Sequence, residues 1–137
     1  MLLTTEHRLP RPTARCKMAR SPSNPCECAV AQLPVIFDCD PGKDDAFALL
    51  LALAVPDALD VTAVAGNVPL RHAARNARRI VDASGRGDVP VYAGCSRPIL
   101  HELFTAEETH GLDGLGGSGL PEPMHAVEDD HAITALI

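Results

Sequence analysis

Residues 35–45 read VIFDCDPGKDD, and the fold can be worked out from this stretch outward. A β-prone apolar run ends here in four aspartates, and a second apolar run follows at once. Carboxylates this close together repel one another, so a positive charge must compensate them. Oxygen ligands at a strand end suit Ca²⁺ or Mg²⁺, and Ca²⁺ more readily accepts an irregular set of about six to eight oxygens. The stretch therefore predicts a divalent-metal site where α/β folds commonly place their chemistry.

The composition indicates an acidic domain that follows a basic extension. The chain has 137 residues and a net charge of −6, and only 3% of its residues are aromatic. Residues 1–34 hold five Lys or Arg against two Glu, so the acidic excess lies in the remainder. We expect residues 1–33 to be a disordered or targeting-like extension, because they are rich in Pro, Arg and Ser. Residues 34–137 then form the folded domain, with an aliphatic core.

Charge and cysteine content also exclude several classes of protein. The negative charge and the shortage of aromatic residues argue against nucleic-acid binding. No apolar run reaches the roughly 18 residues that span a membrane, so we expect no membrane contact. Five cysteines without regular spacing indicate a reducing compartment, and we expect a cytoplasmic protein.

Apolar periodicity after residue 34 predicts alternating strands and helices. The order predicts an α/β fold with a parallel, Rossmann-like open sheet and helices on both faces. The first helix is apolar all round, so we expect it to be buried on more than one face. On the second helix we expect Arg71, Arg75, Arg78 and Arg79 to face solvent. The predicted elements are strands at 35–39, 61–65 and 89–93, helices at 44–55, 70–84 and 126–137, and a long loop at 94–123.

The aspartates can converge on one ion if the strand geometry holds. Asp38 and Asp40 then project to the same face, because side chains alternate along a strand. The turn at Pro41-Gly42 brings Asp44 and Asp45 back at a helix N-terminus, where carboxylates complement the helix dipole. Two readings without a metal remain open. Asp44 could be a helix N-cap, and Asp38 could be a structural residue held by backbone amides.

Two familiar acidic motifs do not fit this stretch. An EF-hand loop that starts at Asp38 needs Gly at its sixth position and Glu at its twelfth, where this chain has Lys43 and Leu49. Haloacid-dehalogenase-type phosphatases share the Asp-x-Asp at the first strand end, but Pro41-Gly42 does not continue their motif.

Residues 38–46, DCDPGKDDA, resemble the N-terminal signature of the inosine/uridine-preferring nucleoside hydrolase family. Three further stretches agree with that family in order and spacing: VAGN at 64–67, YAGCSRPI at 92–99 and HGLDGLGG at 110–117. The last resembles the family's mobile loop over the active site. The resemblance covers residues 34–137 and implies the N-terminal portion of the nucleoside hydrolase fold.

The resemblance implies a purine/pyrimidine nucleosidase that hydrolyses the N-glycosidic bond of nucleosides to base and ribose, in nucleoside salvage and catabolism. It implies that Asp40 and Asp45 bind Ca²⁺, and that Asp40 is also the catalytic base that activates the Ca²⁺-bound water. The implied substrate-binding residues are Asp44, Asn67 and His110, and Asp38 gives structural support. Considered alone, a His before Gly in a loop is most often a solvated loop residue, and this reading of His110 stays open beside that of a lid residue. Full-length members are expected to be homo-oligomers.

The chain departs from the family pattern in length and at one position. Members of the family are roughly twice as long, and their C-terminal half supplies further metal and ribose ligands. Lys43 stands where the family often has an apolar residue or His. We therefore expect an incomplete, inactive fragment of a nucleoside hydrolase. The alternatives are a non-catalytic remnant that binds metal or nucleoside, and a Mg²⁺-dependent phosphatase-like α/β hydrolase.

Overall fold

The computed structural model describes residues 33–55 and 59–137. The prediction for the extension at 1–33 falls outside these residues, apart from Leu33. The helices and strands are β1 (Val35–Cys39), α1 (Lys43–Leu53), β2 (Leu59–Ala63), α2 (Leu70–Ala83), β3 (Val91–Ala93), α3 (Glu107–His110), β4 (Glu128–His131) and α4 (Ala132–Ala135).

The four strands form one parallel sheet in the order β1-β2-β3-β4. Val35 pairs with Leu59 at one end of β1 and Cys39 pairs with Ala63 at the other. The predicted α/β fold with a parallel open sheet is confirmed. The two long helices, α1 and α2, pack on the sheet and also contact each other, so these two lie on the same face of it, whereas the prediction placed helices on both faces. Because the strands are parallel, their carboxyl ends share one edge, and loops that carry polar residues leave from that edge.

The core is aliphatic, as predicted, and lies between the sheet and its two long helices. Leu49 of α1, Val61 of β2 and Val91 of β3 are fully buried there, together with Ala77 and Val81 of α2. These side chains belong to one continuous cluster, so packing against the sheet fixes both helices.

The prediction that α1 is buried on several faces is wrong. Its buried residues are Leu49 and Leu53, whereas Phe47 is 75% exposed and Leu51 is 71% exposed. The apolar sequence of α1 therefore leaves one uncovered apolar face. A helix that packs on a sheet with one side buries only that side unless another layer covers it. None of the described elements forms such a layer over Phe47 and Leu51.

The prediction that the α2 arginines face solvent is wrong for Arg78 and Arg79, which are buried. Arg78 Nη1 donates to the carbonyl oxygen of Val89 at 2.8 Å, and Nη2 donates to Asp82 at 2.7 Å. Arg79 Nε donates to the carbonyl oxygen of Pro121 at 2.8 Å. The last part of the long loop crosses α2 at Arg79, whereas Arg78 is held by the turn before β3 and by its own helix.

The predicted helix at 126–137 is also wrong, because this region forms strand β4 and the short helix α4. Tyr92 pairs with Glu128 and Ala93 pairs with His131, with a register shift between the two pairs. Pairing with β3 therefore overrides the local helical pattern. Smaller differences are that β2 lies two residues earlier than predicted, that β3 begins two residues later, and that the long loop contains α3. None of the described helices is long and apolar enough to cross a membrane.

Candidate active site

The candidate site lies where β1 and β2 end at the carboxyl edge of the sheet. Asp40 directly follows β1, and Asn67 follows β2 after a short bend. The backbone N–H of Asn67 donates to Oδ2 of Asp40 at 2.7 Å, and its side-chain Nδ2 donates to the carbonyl oxygen of Asp40 at 3.1 Å. The first hydrogen bond fixes the Asp40 carboxylate relative to the end of β2, and the second fixes the backbone of Asp40 there. The structure thus brings together two residues that the sequence analysis placed in one site.

Asp45 joins them from the first turn of α1. Its Oδ2 accepts a hydrogen bond from the backbone N–H of Asp40 at 3.0 Å. Burial raises the pKa of Asp45, the N–H of Asp40 opposes this rise, and the negative charges of Asp40 and Asp44 add to it. Asp44 itself is exposed on the same turn. The N-cap of α1 is Gly42, which has no side-chain cap bond, so the alternative that Asp44 caps the helix is wrong.

Asp38 lies apart from this pair. Its Oδ1 accepts a hydrogen bond from the hydroxyl of Thr62 on β2 at 2.6 Å, so a side chain holds it rather than backbone amides. Between Asp38 and Asp40, the thiol of Cys39 is buried and donates to the carbonyl oxygen of Thr62 at 3.4 Å. Burial raises the pKa of this thiol, and the charges of Asp45, Asp38 and Asp40 raise it further. The strand end is therefore a region of concentrated negative charge.

Two glycines allow the site to be this compact. A Cβ on Gly66 would lie 2.0 Å from Oδ2 of Asp40, and a Cβ on Gly42 would lie 2.7 Å from Nδ1 of His110 and 2.8 Å from Nδ2 of Asn67. The φ of Gly42 and of Gly66 is not positive, so the backbone conformation does not require glycine at either position. Glycine is needed because neighbouring side chains approach the backbone closely there. The sequence analysis assigned Gly42 only to a turn and gave Gly66 no role of its own. The signal for both was their position next to polar residues at strand ends.

The segment of residues 106–117, here named the covering loop, lies against this edge. The backbone N–H of Ala106 donates to the carbonyl oxygen of Asn67 at 2.9 Å. Nδ1 of His110 accepts from the backbone N–H of Lys43 at 3.1 Å. The structure therefore places His110 next to Gly42 and Asn67, and the covering loop reaches both strand ends.

Two residues that the sequence analysis missed hold the far part of the covering loop. Asn76 is buried on α2, and its Nδ2 donates to the carbonyl oxygen of Asp113 at 2.6 Å. The Asp113 carboxylate accepts the backbone N–H of Leu115 at 3.1 Å and that of Gly117 at 3.2 Å. Burial alone would raise the pKa of Asp113, but these N–H groups outweigh it and lower the pKa. No sequence period marks such a contact, because it joins a helix to a loop 37 residues later.

The donor groups fit a hard divalent cation, although the described part of the chain supplies only some of the ligands. Asp40 and Asp45 provide carboxylate oxygens, which Ca²⁺ and Mg²⁺ prefer. No described Lys or Arg forms a salt bridge with either of them. Within residues 33–55 and 59–137, no group of three or more His, Cys, Asp or Glu side chains is arranged to hold a metal ion. Two carboxylates fall short of the six to eight or so oxygens that Ca²⁺ takes.

Residues 35–137 match the family described as inosine-uridine preferring nucleoside hydrolase. The chain belongs to this family. The predicted resemblance is confirmed, and so is the assignment to an enzyme family of hydrolases. The roles of Asp40, Asp44, Asp45, Asn67 and His110 stay predictions, as do the cytoplasmic location and the homo-oligomer.

Curated relatives and solved structures agree with the family. The chain is 46% identical over 107 residues to a pyrimidine-specific ribonucleoside hydrolase, RihA, of Citrobacter koseri, an alignment that covers 76% of the chain and 34% of the relative. It is 45% identical over 107 residues to an uncharacterised protein of Schizosaccharomyces pombe. This alignment covers 77% of the chain and 34% of that protein.

Among solved structures, a purine-preferring ribonucleoside hydrolase from Gardnerella vaginalis superposes with a TM-score of 0.68 at 32% identity. That match covers 74% of this chain and 34% of the other. A plant nucleoside hydrolase, PpNRh1, also gives a TM-score of 0.68, at 36% identity, and covers 75% of this chain and 34% of the other. The nucleoside hydrolase family is thus similar to this chain in fold as well as in sequence. The chain spans about one third of the length of these relatives.

Proposed function

We propose that this chain carries one part of the active site of a ribonucleoside hydrolase, and that the complete site cleaves the N-glycosidic bond to release base and ribose. The observation that carries the proposal is the arrangement at the strand ends, where Asp40 is hydrogen-bonded to both Asp45 and Asn67. Two of the relatives named above are a pyrimidine-specific and a purine-preferring ribonucleoside hydrolase, and their substrates have the ribose in common. The proposed substrate is therefore a ribonucleoside, recognised through its sugar.

The proposed metal ligands are Asp40 and Asp45, and the proposed ion is Ca²⁺. When bound, the ion would supply positive charge that lowers the pKa of a water molecule and holds the ribose hydroxyls. Oδ2 of Asp40 accepts from the N–H of Asn67, and Oδ2 of Asp45 accepts from the backbone N–H of Asp40. The two carboxylates also interact with each other, which raises the pKa of Asp45, and a bound cation would offset this repulsion.

Asp40 is the proposed general base. Its carboxylate is fixed by Asn67, so Oδ1 is held in one orientation and can take a proton from the attacking water. Breaking the glycosidic bond builds positive charge on the sugar, as in other glycoside hydrolyses. The fixed negative charges of Asp40, Asp44 and Asp45 stabilise that charge where it develops. Asp44, Asn67 and His110 are the proposed contacts to the nucleoside, and Asp38 supports the strand end through Thr62.

We also propose that the site needs the rest of a nucleoside hydrolase domain to act. The chain spans about one third of its relatives, and the exposed apolar face of α1 includes Phe47 and Leu51. β1 is an edge strand of the described sheet, and Asp40 follows directly at its end. A further strand alongside β1 would cover that edge and bring additional ligands next to Asp40. The exposed apolar face then packs against the same added part.

The test measures release of free ribose from inosine and uridine with Ca²⁺ present. The chain alone should show no turnover. Mixed with the remaining two thirds of the Citrobacter koseri relative, it should gain turnover that Asp40→Asn removes. Calorimetry on the chain should give Ca²⁺ heat that Asp45→Ala abolishes, with Glu122→Gln, at an exposed carboxylate on a distant segment, as the control.

Two outcomes would contradict these proposals. Turnover by the chain alone that depends on Asp40 would contradict the need for a second part. A folded, stable complex without turnover would contradict the hydrolase function. Nucleoside binding by that inactive complex would instead support the non-catalytic remnant, which the two-carboxylate ligand set favours.

A further inference from the structure

Lys43 is the first residue of α1, and it makes three separate contacts with the covering loop. Its backbone N–H donates to Nδ1 of His110 at 3.1 Å, and its ammonium group donates to the carbonyl oxygen of Thr109 at 2.9 Å. Gly116 packs against the aliphatic part of the same side chain, because a Cβ there would lie 2.6 Å from Cε of Lys43. One residue next to the carboxylates therefore contacts the loop at 109, 110 and 116.

The backbone contact also determines which ring nitrogen of His110 carries the proton. A backbone N–H can only donate, so Nδ1 must accept with its lone pair, and the proton of the neutral ring is on Nε2. No described residue accepts a hydrogen bond from Nε2 of His110. His110 is thus arranged to offer Nε2–H to an acceptor that the described residues do not provide.

We propose that Lys43 is a positioning residue that holds the covering loop, and with it the His110 ring, beside the carboxylates. The purpose of this arrangement rests on the proposed function, since the acceptor for Nε2–H would be an oxygen or ring nitrogen of the bound nucleoside. The positioning role of Lys43 itself depends only on its three contacts with the covering loop. Lys43 acts through His110 and takes no part in the chemistry.

The side chain of Lys43 is needed in addition to its backbone, because the other contacts that the described residues make with the covering loop lie at its start and from Asp113 onward, where Leu115 packs in the core. Ala106 is bonded to Asn67, and Asp113 is bonded to Asn76. The ammonium group of Lys43 holds the middle of the loop at Thr109. An exposed hydrogen bond of this kind shifts a local opening equilibrium by roughly fivefold.

Hydrogen exchange and histidine NMR test the proposal on the full chain. Lys43→Met keeps the aliphatic stem against Gly116 and removes only the ammonium group. The backbone amides of Gly111 and Gly116, which are hydrogen-bonded within the loop, should then exchange roughly fivefold faster. The ring nitrogens of His110 should change from a single Nε2–H form to a mixture of tautomers. Lys43→Arg, which keeps the donors and the charge, should restore both readouts most of the way.

Arg75→Met is the matched control. It removes one positive charge from the exposed ion pair that Arg75, on α2, forms with Glu122. It should leave loop exchange and the tautomer of His110 unchanged. Amides in the middle of α2 report whether each variant is folded.

Unchanged exchange and an unchanged tautomer in folded Lys43→Met would overturn the proposal, and so would an equal effect of Arg75→Met. A covering loop without protection in the unaltered chain would overturn it as well. Uridine or inosine added with Ca²⁺ to the chain completed with the remaining part of the domain gives an independent readout, a shift of the Nε2 resonance of His110. If that shift is absent while the variants behave as expected, the proposed function fails and the positioning role of Lys43 stands.

Discussion

Replacing Gly66 with alanine should disable the candidate site through one added methyl group. The φ of Gly66 is not positive, so alanine can adopt the backbone conformation of this position without strain. Its Cβ would lie 2.0 Å from Oδ2 of Asp40, and 2.7 Å from Cγ of the same side chain. Real Cβ atoms essentially never approach another heavy atom more closely than 3.0 Å. The Asp40 carboxylate must therefore move by about 1 Å.

That displacement gives the expected size of the effect. Moving the carboxylate by about 1 Å breaks its 2.7 Å hydrogen bond from the N–H of Asn67. We expect Ca²⁺ affinity to fall roughly 10- to 100-fold, the usual cost of losing a group that orients a ligand. In a complex completed with the missing part of the domain, a 1 Å misplacement should cost about 100-fold in turnover. Overpacking should also destabilise the fold by about 1–3 kcal/mol.

Calorimetry with Ca²⁺ and thermal unfolding are the assays, with Gly85→Ala as the control. Gly85 has φ of +78°, and a Cβ there would meet nothing within 4 Å. Alanine at that position should cost about 1–2 kcal/mol through its left-handed backbone alone, without contact to Asp40. The control should therefore lose stability and keep its Ca²⁺ heat. Wild-type Ca²⁺ binding in Gly66→Ala would refute the assigned role of Asp40, and equal losses in both variants would show a general effect of instability.

Asp82→Ala should destabilise the chain by about 3–5 kcal/mol in chemical denaturation, because it removes the partner of the Arg78 guanidinium, which is 1% exposed. Burial alone would raise the pKa of Asp82, but hydrogen bonds from His125, Arg78 and Met124 lower it to about 2. The contribution of Asp82 to stability should be present above about pH 4 and should be lost as the pH falls toward 2. The prediction is contradicted if the unaltered chain loses no more stability in acid than Asp82→Ala does. Leu49→Ala should cost about 2–5 kcal/mol, whereas Phe47→Ser on the exposed face of α1 should leave the unfolding midpoint of the chain nearly unchanged. A large loss in Phe47→Ser would mean that the described residues already cover that face.

The order of strands and helices could be predicted because it depends on local pattern. The apolar run at 35–39 and the periodicity of 70–84 led to β1 and α2 within a residue. The same reasoning failed at 126–137, where pairing with β3 gives a strand that local residues do not favour. It also failed for Arg78 and Arg79, because Arg78 bonds to Val89 in the turn before β3 and Arg79 bonds to Pro121, 42 residues later in the chain.

For the candidate site, too, some features could be predicted from the sequence and others could not. The residues alone predicted that Asp40 and Asp45 would meet, because a short turn returns the chain to the strand end, and the resemblance to the family implied that Asn67 lies in the same site. The sequence also determined the family, since the aspartate motif is local and specific. Three contacts could be found only from the folded chain: Asp38 with Thr62, Asn76 with Asp113, and Lys43 with His110. These contacts join residues 24 to 67 positions apart, so no local periodicity encodes them, and they exist only once packing on the sheet has brought the segments together.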